Sequence, residues 1–198
     1  NKVQHVANSN SVIQERKNIQ AHYDLGNDLY TEFLDNSMMY SAAIYPHGEA
    51  TLAEAQQTKL QTICEKLQLT PDDHLIEIGT GWGGLAVYAA KNFGCKVTTT
   101  TISDEQYAWA EEWVAKEGLQ DKVTLLKKDY RVLTGKYDKL VSIEMIEAVG
   151  KEYLPSFFKK CDELLKPEGL MVLQAITIDD RRYDSYSKKV DFIQKYIF

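Results

Sequence analysis

The feature that most limits what this chain can fold into is the run His74-Leu75-Ile76-Glu77-Ile78-Gly79-Thr80-Gly81-Trp82-Gly83-Gly84, where a short apolar segment gives way to glycines. Leu75, Ile76 and Ile78 have the apolar, β-branched character of a buried parallel strand. Leu85 to Phe93, with Val87, Tyr88, Ala89 and Ala90, reads as the helix that follows. The unit is strand, tight turn, helix. Such a turn needs positive φ, a ligand lying against it needs backbone without Cβ atoms, and the helix N-terminus offers free N–H groups. A loop of this shape holds the nucleoside part of a cofactor, and two cofactor classes compete for it. Gly79, Gly81 and Gly84 satisfy the G-x-G-x-x-G spacing of dinucleotide sites. Glu77, two residues ahead of the first glycine, argues for the other class, because a carboxylate suits a ligand bearing an ammonium and a sulfonium and is an odd neighbour for a pyrophosphate.

Around this unit, strand and helix patterns alternate. Thr51 is placed to cap a helix reaching about Leu69, with Glu54 completing a capping box and Leu52, Ala55, Leu60, Ile63 and Leu67 forming its apolar face. Lys96 to Ile102 is a second strand; Ser103 caps a helix from Asp104 to about Lys116. Lys122 to Leu126 and Lys139 to Ile143 are further strands, Tyr153 to Leu165 is a helix, and Lys166-Pro167-Glu168-Gly169 turns the chain into a fifth strand, Leu170 to Ile176. This order predicts an α/β fold with right-handed crossovers, whose ligand sits outside the carboxyl ends of the strands. Glu77 to Gly84, Thr101 to Ser103, Asp129-Tyr130 and Glu144 to Glu147 should therefore border one crevice. A dinucleotide enzyme would end its second strand in an acid for the ribose hydroxyls, whereas this one ends in threonines. Asp104 is close, but it stands where a helix begins and serves equally as a first-turn acid.

At 198 residues and 44% hydrophobic, the chain can bury one core, so a single domain with appendages is expected. Residues 1–18 are polar and aperiodic and should be loose; 19–70 should form a helical lid covering the cofactor, and 71–198 the sheet domain. A net charge of −6 argues against a nucleic-acid binder and supplies no broad basic face for anionic lipid. Cys64, Cys95 and Cys161 are odd in number and scattered, as in reduced, buried thiols of a cytoplasmic protein. The four histidines lack ligand spacing, so no metal is expected. No run approaches the ~20 apolar residues of a membrane span. The chain starts without Met and stops at Ile197-Phe198 in mid-pattern, as an excerpt truncated at its C-terminus would.

Five stretches occur together and in order: His22 to Asp28, Met39 to Tyr45, Glu77 to Gly84, Thr101 to Gln106, and Ser142 to Gly150. With the tail Val190 to Phe198, this combination resembles the cyclopropane-fatty-acyl-phospholipid synthases, including the mycolic acid cyclopropane synthases, from about Asn18 onward. The resemblance implies a Rossmann-like class I S-adenosylmethionine methyltransferase sheet beneath an N-terminal helical lid. It matches Tyr40 and Ser41 to contacts with the methionine part of the cofactor and Gly79 and Gly81 to the loop under it. Thr101 and Gln106, with Ile102 between them, match the ribose region, and Asp129-Tyr130-Arg131 falls where family members contact the adenine. Glu147 matches a catalytic glutamate that, with a histidine, a cysteine and a tyrosine, holds a bicarbonate acting as base. Ala42 stands where the cysteine is expected and Gln174 where the histidine is expected, and the tyrosine's region lies past Phe198.

The implied reaction transfers a carbon to the cis double bond of an unsaturated phospholipid acyl chain, giving a cyclopropane ring or, after a hydride shift, a methyl branch. Such a substrate implies transient contact with a membrane surface, at its inner face for a cytoplasmic enzyme. Two readings from other classes stay open on residues alone: an NAD-linked dehydrogenase on the same kind of turn, and a module that binds the cofactor without catalysis.

Overall fold

A computed structural model describes residues 27–186. The expected loose segment 1–18, the first part of the lid and the tail from 187 lie outside the described residues. Of the segment expected as a lid, the described residues hold α1 (Asn27–Phe33) and the extended stretch leading to α2 (Leu52–Lys66). Thr51 caps α2 through the expected box: its hydroxyl accepts from Glu54 N, while Glu54 Oε2 accepts from Thr51 N at 2.7 Å.

Strands β1 (His74–Ile78), β2 (Lys96–Thr101), β3 (Val123–Lys127), β4 (Tyr137–Ile143) and β5 (Leu165–Gln174) form one sheet in the order β3-β2-β1-β4-β5, every pair parallel. Helices α3 (Gly84–Phe93), α4 (Asp104–Lys116) and α5 (Leu154–Leu164) make the crossovers, and α6 (Asp180–Tyr186) follows β5. This is the open parallel sheet that the resemblance implies. The chain reverses its direction of travel across the sheet between β1 and β4, which opens a crevice above their carboxyl ends.

Alternation along the strands splits the core in two. On one face Leu75, Val97, Val123 and Val141 pack with Leu60, Ile63 and Leu67 of α2, Leu85 and Ala89 of α3, and Val114 of α4. On the other, Ile76, Ile78 and Leu140 meet Tyr130 and Phe157, Cys161 and Leu164 of α5. Each fully buried Leu or Ile contributes about 1.5–3 kcal/mol. Glu77 is the exception: a carboxylate 3% exposed, in a strand otherwise apolar from Leu75 to Ile78. All three cysteines are buried and unbonded to one another, and burial pushes the Cys64 thiol up to about 12.

The largest departure from the sequence reading is at β5. The expected turn at 166–169 lies inside a strand that starts at Leu165, and a register shift opposite Tyr137 and Lys139 absorbs the extra residues. The strand then stops at Gln174, two residues early. Gln174 O accepts from Glu144 N at 2.9 Å, and Ile176 N turns away to the Glu147 carboxylate at 2.6 Å.

Candidate active site

The crevice is a cavity of about 1050 Å3, counting the space open to solvent at its mouth. Its floor is the β1 turn, with Gly79 and Gly81 at φ +101° and +53°, a region side chains enter at a cost. Gly84 has a different duty. A Cβ there would lie 2.5 Å from Ser37 O and 2.7 Å from Met39 Sδ, so it admits the covering segment of the chain. Trp82 adds to the dock: its indole N–H donates to Asn27 Oδ1 at 2.7 Å and its ring lies 4.6 Å from Tyr30. Tyr30, Met38 and Trp82 form a small core of their own beneath α1.

Glu77 Oε2 accepts from Thr99 Oγ1 at 2.6 Å, and Thr99 in turn is 2.7 Å from Thr80 Oγ1. Burial pushes the Glu77 carboxyl up to about 8, against a smaller lowering by the Thr99 bond. Near pH 7 this group is mostly protonated, and a cation set beside it would recover the carboxylate. Next along the wall come Thr101, Ile102 and Gln106. The Thr101 hydroxyl donates to Gln106 Oε1 at 2.9 Å, and the amide nitrogen of Gln106 has no hydrogen-bond partner among the described residues. A ribose hydroxyl is a suitable acceptor for it. Asp129 and Tyr130 complete that side, Asp129 accepting from Arg131 N and Nε, both at 2.9 Å. Asp104 is not in the cavity wall and pairs with Lys127.

Tyr40 and Ser41 enter from the covering segment, held from beneath by two residues that sequence reasoning missed. Gln56 Nε2 donates to Met39 O at 3.2 Å and Ser41 O at 3.0 Å; Lys59 Nζ donates to Ser41 Oγ at 2.7 Å. Lys59 is fully buried, which pushes its ammonium down to about 8, with Glu144 and Asp35 opposing. The signal was present: Gln56, Lys59, Leu60 and Ile63 share one helix stripe, and two polar residues on a buried stripe demand partners.

The far wall is built by β4 and the turn beyond its carboxyl end, including Ile143, Glu144, Met145 and Ala148. Glu147, the carboxylate expected at the chemistry, is not among the lining residues. Its Oε1 accepts from Ile176 N, while Oε2 is buried with no partner among the described residues. The carboxylate in the wall is Glu144, whose Oε1 accepts from Ala42 N at 3.0 Å and Gln174 Nε2 at 2.8 Å. These residues do not fit a bound bicarbonate. Ala42 has no side-chain donor, the amide of Gln174 is committed to Ala42 O and Glu144, Ile176 N is taken by Glu147, and an added anion would face the Glu144 carboxylate. Among the described residues no group of three or more His, Cys, Asp or Glu side chains is gathered to hold a metal ion.

Comparison with known proteins places this geometry. The family model for mycolic acid cyclopropane synthetase matches residues 10–198. The chain is 45% identical over 182 residues to cyclopropane-fatty-acyl-phospholipid synthase of Escherichia coli (strain K12), covering 89% of this chain and 44% of that protein. It is 40% identical over 192 residues to tuberculostearic acid methyltransferase UfaA1 of Mycobacterium tuberculosis, covering 93% and 45% respectively. The chain thus spans about half the length of the curated relatives it matches. Among solved structures, mycolic acid cyclopropane synthase CmaA1 complexed with SAH and CTAB superposes with a TM-score of 0.85 at 30% identity, over 92% of this chain and 67% of that one.

Proposed function

The chain belongs to the mycolic acid cyclopropane synthetase family, and from that premise we propose that it uses S-adenosylmethionine to add a carbon to the cis double bond of an unsaturated phospholipid acyl chain, closing a cyclopropane ring. When bound, the cofactor supplies an electrophilic methyl carbon on a positively charged sulfur. One observation carries the reading: a buried carboxylate, Glu77, sits at a side-chain-free turn, and beyond it the cavity wall is Met38, Met39, Tyr40, Ile143 and Met145. That is a seat for a cation facing an apolar wall.

Each residue then has a task. Glu77 balances the positive charge; Gly79 and Gly81 let the ligand approach the backbone; Gln106 and Thr101 meet the ribose, with Ile102 against the base; Asp129 and Tyr130 border the adenine. Tyr40 and Ser41, fixed by Gln56 and Lys59, cover the methionine arm. An alkene is a weak nucleophile, so the apolar wall must hold it close to the methyl carbon and keep water from the carbocation that results. Glu147 acts as a positioning residue, fixing the strand end at Ile176. The dinucleotide alternative loses its support because the acid nearest the end of β2, Asp104, is directed to Lys127.

Substrate reaches the site by transient contact with the inner face of a membrane. Leu29 and Phe33 on one side of α1, and Tyr40, Ile44 and Tyr45 on the covering segment, are large apolar side chains exposed to solvent, while no helix among the described residues is long and apolar enough to cross a bilayer. A methyl-branched product is the second reading, favoured by Ala42 and Gln174 at the positions where the resemblance puts cysteine and histidine. Both products share the first carbon–carbon bond. The test is incubation of the full-length protein with methyl-labelled S-adenosylmethionine and vesicles of unsaturated phospholipid, followed by NMR of the released fatty acids. Labelled ring methylene is expected; a labelled branch would select the second reading, and no acyl label despite calorimetric cofactor binding would remove the lipid assignment.

A further inference from the structure

Among the described residues Glu144 is the one carboxylate that lines the cavity from a left-handed backbone. It lines the cavity, yet its backbone has φ +47°, a conformation costing a residue with a side chain about 1–3 kcal/mol. The surrounding structure enforces it: Glu144 N donates to Gln174 O at 2.9 Å, so the residue is pinned at the end of β4 by the end of β5. Its carboxylate is then gripped on one oxygen only. Oε1 receives Ala42 N and Gln174 Nε2, and Gln174 closes the triangle by donating to Ala42 O at 3.0 Å. Oε2 has no hydrogen-bond partner among the described residues. Three distant stretches of chain thus converge to hold one carboxylate by one oxygen at the wall of an apolar cavity, with the buried Lys59 ammonium close enough for their charges to interact.

We propose that Glu144 is the proton acceptor of the reaction, a built-in carboxylate doing the work of a dissolved anion that the surrounding residues do not fit. The proposal rests on the alkene-alkylating function above. After the new carbon–carbon bond forms, the substrate carries a cation on the neighbouring carbon. One C–H bond of the transferred carbon then breaks, its electron pair forms the remaining ring bond to the cationic carbon, and the proton passes to Glu144 Oε2. The neutral acid releases that proton to solvent once product leaves. Holding Oε1 in two hydrogen bonds fixes the orientation of the carboxylate, while Oε2 stays available. Glu147 is unsuited to this step, being outside the cavity wall and turned to Ile176 N.

The experiment uses the full-length protein in buffer stripped of carbon dioxide, with labelled cofactor and unsaturated vesicles. The parent protein should keep its full rate without added bicarbonate. Glu144→Gln should bind cofactor normally by calorimetry yet lose at least about 100-fold in rate, the usual worth of a positioned base. Glu144→Gly suits the left-handed backbone and empties a carboxylate-sized space, so formate or bicarbonate should restore part of its rate and have no effect on the parent. A structural role alone would give no such rescue. A parent rate that depends on bicarbonate, full activity in Glu144→Gln, or absence of rescue in a folded Glu144→Gly would each overturn the assignment to Glu144 while leaving the function intact. No acyl label from the parent under any condition would instead overturn the function, and the base with it.

Discussion

The two walls of the cavity are built on opposite plans. On the β1–β2 side the polar groups settle one another across no more than 22 residues of chain: Thr101 with Gln106 and Ser103, Thr80 with Thr99, Thr99 with Glu77. On the β4–β5 side the polar contacts join residues far apart, Ala42 to Glu144 and Gln174 to Ala42, and the backbone there is held in a costly conformation. The first wall is a contiguous holder, complete once β1, its turn, α3, β2 and the start of α4 have formed. The second exists only when the covering segment and β5 have both docked. Binding and chemistry are therefore supported by separable parts of the fold, and disturbing one should leave the other measurable.

The strongest challenge to that separation is at Glu77. Glu77→Gln retains an acceptor for Thr99 but cannot become anionic, so cofactor affinity should fall by about 10- to 100-fold, the worth of a hydrogen bond to a charged group. The parent should also bind more tightly as pH rises from 6 toward 8, because binding a cation draws a proton off a carboxyl that otherwise titrates near 8. Glu77→Gln should be flat over that range; calorimetry in buffers of different ionisation heat would read the proton release directly, and a pH-dependent Glu77→Gln would point to another group.

Next in size is the dock of the covering segment. Gly84→Ala puts a methyl group into Ser37 O and Met39 Sδ, an overpacking that costs about 1–3 kcal/mol. Trp82 fluorescence should change and the chain near residues 37–41 should become protease-sensitive, with activity lost more than cofactor affinity. Equal loss of both would mean that the two walls are not independent.

Lys59→Met should behave oppositely toward stability and activity. The folded state lowers the Lys59 pKa to about 8, so below that pH both states are protonated and the folded state bears the whole cost of the buried charge; between pH 8 and the unfolded value near 10.5 the unfolded state holds the extra proton and stability rises. Thermal stability of Lys59→Met at pH 7 should therefore equal or exceed the parent's, the difference shrinking above pH 8, while the freed Ser41 reduces turnover. Smaller still, Glu144→Gly exchanges backbone strain for two lost hydrogen bonds, terms of about 1 kcal/mol each, so its Tm should shift by no more than about 2–4 °C despite a crippled rate. Removal of the exposed Lys91–Glu117 pair should do least, leaving the denaturant midpoint indistinguishable from the parent's.

The same division explains what was legible in the sequence. The Thr51 cap and the Thr101–Gln106 stretch were readable because each depends on neighbours within a few residues, and the β1 turn because its glycines mark it, although Thr100 holds its backbone from the next strand. Gly84 reads in the sequence only as the last glycine of a G-x-G-x-x-G spacing, whereas its constraint comes from Ser37, far back in the chain. Glu144 and Glu147, three residues apart, could not be separated by periodicity, since the positive φ at 144 that decides which of them meets the cavity is imposed by Gln174. The early end of β5 was hidden for a related reason: the carboxylate that takes Ile176 N lies 29 residues away.

The left-handed backbone at Glu144 also has an evolutionary meaning. Glutamate and glycine codons differ by a single A-to-G transition, and glycine adopts this conformation without penalty. A lineage starting from this chain can thus trade a built-in carboxylate for an empty niche open to a small anion without passing through an unfolded ancestor, and a lineage that began with the niche can close it by the reverse mutation.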